Sequence, residues 1–137
     1  MPNAMLADSA TLYNYIGEDE DGNASYIRTV LTPCRAVLTV GTLMDRENDN
    51  ISVYVFDAYT LATNGSTRKS YCDPRAFDTL ADKTANWTLR DDGKDWIANG
   101  ICTDTQPPTD GTAFAIRTIK RNQIGGHDMW HWKVTGR

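Results

Sequence analysis

The stretch Thr112-Ala113-Phe114-Ala115-Ile116-Arg117-Thr118-Ile119-Lys120-Arg121, followed by Gly125-Gly126-His127-Asp128 and then Met129-Trp130-His131-Trp132-Lys133-Val134-Thr135, decides the fold class. Phe114, Ile116 and Thr118 alternate with Ala115, Arg117 and Ile119, the period of two expected of a half-buried strand. Gly125-Gly126 tolerates positive φ at two successive positions, as a tight chain reversal requires. Beyond it Trp130, Trp132 and Val134 fall on one face and Met129, His131, Lys133 and Thr135 on the other. Two of the four tryptophans thus load one face of one strand, and that face needs cover from a β core or from another chain.

Working outward, most of the chain has the same character. Thr11 to Ile16 and Tyr26 to Thr42 are rich in β-formers, and the acidic run between them contains Asp21-Gly22 and Asn23, residues suited to a hairpin turn. Asp19, Asp21 and Asn23 fall at alternate positions as in a calcium loop, but Ala24 stands where the turn glycine belongs and Val30 where the bidentate glutamate belongs, which favours a solvated turn. Pro33 interrupts the ladder of the second run, which predicts either two strands joined by a bend at Thr32-Pro33 or one long edge strand with a bulge. Asp45 to Asn50 reads as a polar loop. Ile51 to Tyr59 is apolar on both faces, hence a central strand.

Asp73-Pro74 is a capping residue followed by proline, and Phe77, Leu80 and Ala81 recur at helical spacing, which predicts one short helix ending near Lys83. Asn86 to Leu89 and Asp95 to Cys102 read as a hairpin around Asp91-Asp92-Gly93-Lys94. The expected fold is all-β with one minor helix, a small β-barrel or sandwich of about seven to eight antiparallel strands. Residues 1–10 are expected to form a flexible arm, and 11–137 a single domain with loops at 60–73 and 103–111.

A chain of 137 residues has room for one domain. A formal charge of −4 and a pI near 5.0 argue against a dedicated nucleic-acid binder, which needs surplus cations to displace counterions. No signal peptide and no bilayer-length apolar run is visible. Three widely spaced cysteines, Cys34, Cys72 and Cys102, point to reduced thiols.

Catalytic chemistry is not expected. His127 and His131 are the only histidines, and with one in a turn and the other in a strand they do not share a face as a ligand pair on a helix would. Neither a metal nor a cofactor is predicted. The carboxylates cluster in turns, where solvation accounts for them. What remains is interfacial: Arg68 and Lys69 in the 60–73 loop, Arg117 and Arg121 in the basic segment of the terminal hairpin, and Trp130, His131 and Trp132 on its last strand. Trp87, Trp96, Trp130 and Trp132 would serve as stacking platforms if the chain were instead an OB-like single-strand binder.

The runs Thr11-Leu12-Tyr13-Asn14, Tyr26-Ile27-Arg28-Thr29, Tyr71-Cys72-Asp73-Pro74, Asn86-Trp87-Thr88-Leu89-Arg90, Gly93 to Gly100 and Gly125 to Val134 together resemble small proteins encoded in the head-to-tail region of tailed phages, mostly uncharacterised or described as minor capsid proteins. None of these runs is a defined functional motif, so no site residue carries over. The resemblance implies a head-completion or stopper protein of the virion neck, made in the bacterial cytoplasm and assembled as a ring of six or twelve copies between the portal-bound adaptor and the tail terminator or tail tube. It also implies that the ring closes the DNA channel. An acidic subunit suits such a conduit, because like charge keeps packaged DNA off the wall. A capsid decoration or minor capsid protein is the alternative within the same class.

Overall fold

The computed structural model describes residues 6–39, 50–64 and 66–137. Strands β1 (Asp8–Glu18) and β2 (Ala24–Thr39) form a long antiparallel hairpin. In its turn the Asp19 carboxylate accepts hydrogen bonds from the backbone N–H groups of Asp21 and Asn23, both at 2.9 Å, so the acidic run is a self-capped turn. Strands β3 (Asn50–Phe56), β4 (Leu61–Thr63), β7 (Trp96–Asn99), β8 (Ala113–Asn122) and β9 (His131–Gly136) complete the main sheet in the order β1-β7-β8-β9-β3-β2-β4. Because β1 also pairs with β2, the hydrogen-bonded circuit β1-β7-β8-β9-β3-β2 returns to its start. The chain is all-β and sandwich-like, and β2 and β8 take part in both halves. A two-stranded sheet, β5 (Ser70–Tyr71) with β6 (Asn86–Trp87), and helix α1 (Pro74–Thr79) lie outside the circuit.

β2 stays continuous through Pro33. Its first part, as far as Cys34, pairs with β1, and Arg35 to Thr39 pair with β3. Opposite the proline the next strand is also broken: β3 ends at Phe56, and β4 resumes along the same side of β2 from Leu61. Thr60 bridges the gap, its hydroxyl donating to Pro33 O at 2.7 Å and accepting Phe56 N–H at 3.0 Å. That break opens one end of the sandwich.

The core is built on Leu12, Leu31, Ile51, Val53, Ile97, Ile116 and Val134, all fully buried, with Trp87, Leu89 and Phe114 and the smaller Ala10, Cys34, Val55 and Ala62 packed among them. In β9, Trp132, Val134 and Gly136 alternate inward as the spacing predicts. A methyl group on Gly136 would stand 2.8 Å from Phe114 Cβ, so glycine is required by close packing there. In β8 the alternation does not run straight. A bulge between Ile116 and Thr118 adds one residue, turning Thr118 outward and Ile119 onto the core.

Five further expectations are corrected. Of the expected arm, residues 6–10 are ordered, because Leu6 is buried and Asp8 to Ala10 belong to β1, where the Asp8 carboxylate accepts Ala36 N–H; residues 1–5 lie outside the described residues, as do residues 45–49 of the expected polar loop. The segment 60–73 is not an open loop, since it contains β4 and β5. The helix stops at Thr79, because extended Leu80 ends it. β6 and β7 do not form a hairpin: β7 pairs with β1 and β8, and β6 runs parallel to β5. Finally, only Gly125 of the Gly-Gly pair has positive φ, and the reversal is completed by a single 3₁₀ turn, His127–Met129, which leaves Trp130 before the strand. The loop after residue 100 is tied down at its start, Tyr13 donating to Asp104 O and Arg28 to Cys102 O.

Candidate functional site

Where β3 and β4 part, a cavity of about 460 Å³ opens onto the end of the core. Its apolar floor is Val55, Ala62, Trp87 and Trp132, all members of the core or packed against it. Tyr71 rests on both indoles, with ring centroids 5.0 Å from Trp87 and 5.1 Å from Trp132, and the parallel β5–β6 pair holds it there. Two edge aromatics and a phenol thus form a contiguous wall with Tyr71 at the rim, 37% exposed.

The rest of the wall is charged. Arg121 extends from β8 over the Trp132 ring, its guanidinium carbon 4.6 Å from the centroid, a cation–π contact. Asp57, just past β3, receives the same guanidinium through both carboxylate oxygens, Nη1 to Oδ1 at 2.7 Å and Nη2 to Oδ2. These two hydrogen bonds hold the Arg121 charge still more firmly than usual. Arg68 lines the cavity from the turn after β4 and forms no ion pair among the described residues.

Lys69 is the unusual member. It is only 5% exposed, and its ammonium donates to Thr29 Oγ1 and, at 3.4 Å, to Arg28 O. No carboxylate among the described residues pairs with it. Burial, reinforced by repulsion from Arg28, brings its pKa down to about 8. Local chemistry marked Lys69 as a flexible loop cation, but pairing of Lys69 N–H with Ala62 O draws the segment against β4 and carries the side chain inside.

Four of the seven residues singled out from the sequence therefore converge here: Arg68, Lys69, Arg121 and Trp132. Three do not. His131 lies on the outer face of β9 against Phe56, ring centroids 4.9 Å apart, and lines a separate shallow depression with Arg35, Tyr54 and Met129. Trp130 packs on His127 and donates to Gly125 O. Arg117 is exposed at the β8 bulge. Asp57 and Tyr71 were not apparent from the sequence. Asp57 directly follows an apolar strand, but its partner is 64 residues away, beyond the reach of any local pattern.

A second polar cluster is built around a buried carboxylate. Asp95 is fully buried and accepts from Arg90 Nε and Nη2, from Asn14 Nδ2 and from Tyr15 N–H, at 2.8 to 3.0 Å. Arg90 also reaches Tyr15 O and Asp78. Every strong donor there has an acceptor, so the cluster ties β1, α1 and the start of β7 together. Among the described residues, no group of three or more His, Cys, Asp or Glu side chains is placed to hold a metal ion, and no helix is long and apolar enough to cross a membrane. All three cysteines are free, and burial beside Asp8 pushes the Cys34 thiol up to about 12.

Residues 5–137 match a family described as a family of unknown function (DUF6751). The chain belongs to that family. No curated protein matches it, and no solved structure does. The family description assigns no chemistry.

Proposed function

We propose that this member of the family is a structural assembly protein, a subunit of the head-to-tail neck of a tailed phage that joins the portal-bound adaptor to the tail as part of a ring. The observation that carries the proposal is the outer half of β2. Arg35 to Thr39 stay paired with β3, yet consecutive residues Val37 and Leu38, which point to opposite faces, are 38% and 43% exposed. A paired strand with apolar side chains bare on both faces is suited to be covered by a neighbouring chain. In a ring each subunit presents that arm to the next through a heterologous contact that closes by rotation. The resemblance to neck proteins on the runs quoted above supports the same role.

The test is localisation and copy number. Antibody labelling of purified particles should place the protein at the head–tail junction, and quantification should give a multiple of six copies per particle. Label distributed over the capsid shell would turn the assignment to a decoration protein, and absence from particles would end it. Leu38→Glu should prevent incorporation without lowering the thermal midpoint of the isolated chain.

A further inference from the structure

We propose that the cavity at the open end binds a nucleoside phosphate, with the planar base against Tyr71 and the phosphate held by Arg68 and Arg121. The proposal does not rest on the neck assignment. It starts from charge: three cations, Arg68, Lys69 and Arg121, line the cavity against one carboxylate, Asp57, on a chain whose overall formal charge is −4. That local excess opposes the sign of the whole molecule. Asp57 is already engaged by Arg121, which leaves Arg68 and the buried ammonium of Lys69 without a counter-ion among the described residues. The Lys69 ammonium itself is turned to Thr29 Oγ1 and Arg28 O, so the donors open to an anion in the cavity are those of Arg68 and the remaining N–H groups of Arg121.

The walls select among anions. A bare phosphate or a small carboxylate would satisfy the cations but leave most of the roughly 460 Å³ empty. The volume lies within the range of small-molecule and cofactor sites. Trp87, Trp132 and Tyr71 add an aromatic wall beside the charges, and Tyr71 keeps part of its ring open at the rim. Aromatic ring surface a few ångströms from unpaired cations fits a ligand that carries a flat ring and a negative tail on one frame. Arg121 uses two of its five N–H donors on Asp57 and keeps others for a phosphate oxygen. A nucleoside phosphate has both parts, whether it arrives free or as the phosphorylated end of a strand.

Isothermal titration of the full chain with adenosine and cytidine monophosphates, the matching nucleosides, inorganic phosphate and an oligothymidylate with or without a terminal phosphate tests this, with tryptophan fluorescence reporting on Trp87 and Trp132. Saturable binding of the monophosphates with quenching is expected, and nucleoside or phosphate alone should bind at least about tenfold more weakly, since each forfeits one class of contact. Arg68→Glu, on an exposed side chain, should weaken monophosphate binding about tenfold or more while leaving the thermal midpoint unchanged. Tyr71→Leu should weaken the monophosphates but leave the feeble response to phosphate as it was. Tighter binding of the phosphorylated oligonucleotide than of the monophosphates would identify a strand end as the source, and equal binding a free nucleotide; both sustain the proposal. No binding at millimolar nucleotide, phosphate binding as tightly as nucleotide, or an Arg68→Glu variant that binds normally would each overturn it.

Discussion

The two places where this protein puts cations next to its core differ in one respect. In the cluster around Asp95, Arg90 meets the fully buried carboxylate through two hydrogen bonds, and the remaining carboxylate valence is filled by Asn14 and Tyr15. At the open end Lys69 is nearly as deep but meets only a hydroxyl and a carbonyl. A buried charge whose partner is built into the chain acts as a fastener. One whose partner is missing weakens the fold and is available to something else.

The sharpest way to break this contrast is at Asp95. Asp95→Ala leaves the Arg90 guanidinium, the Asn14 amide and Tyr15 N–H without their acceptor, and it should cost about 3–5 kcal/mol in denaturant-induced unfolding. A loss below about 1 kcal/mol would mean the two sites are alike. The opposite sign is expected at Lys69. The folded pKa near 8 lies below the ordinary 10.5, so the charged form is disfavoured in the folded chain. Lys69→Met should stabilise the protein at neutral pH, by up to about 3 kcal/mol. Between pH 8 and 10.5 the unfolded wild-type chain holds more protons than the folded one, so wild-type stability rises with pH across that window. The advantage of Lys69→Met should therefore be full below pH 8 and fade toward 10.5. Comparing the two proteins removes the background from Cys34, whose raised thiol pKa lowers the stability of both above its ordinary value of 9.0.

A smaller effect is expected at the break that creates the open end. Thr60→Val keeps the shape but strips Pro33 O and Phe56 N–H of their shared partner, for a loss of about 1–2 kcal/mol. The smallest belongs to the half-exposed ion pair: Asp57→Asn should cost under about 1 kcal/mol. The same change raises the positive excess of the cavity, so it should strengthen nucleotide binding even as it slightly weakens the fold.

Much of the architecture was legible because it is written in short-range alternation. Ile51, Val53 and Val55, and Trp132 with Val134, face inward as a period of two requires, and Asp73 caps the helix by accepting Arg75 N–H. The cavity was legible only in part. Arg68, Lys69, Arg121 and Trp132 stood out as charges and aromatics on β-rich segments, but nothing near them in the chain indicated that they meet. The hidden steps were long-range: Ala62 pairing with Lys69, the bulge beside Arg117 that moves Ile119 inward and Thr118 out, and the parallel β5–β6 pair that carries Tyr71 to the indoles.

The sequence by itself determined that this is a β protein with one capped helix, since residue alternation and turn chemistry act over a few residues and need no distant partner. Tertiary structure alone decided which cations are paired and which are not. Burial and pairing depend on where the chain returns to itself, and a lysine in a polar run has the same local chemistry whether it ends in solvent or beneath a strand.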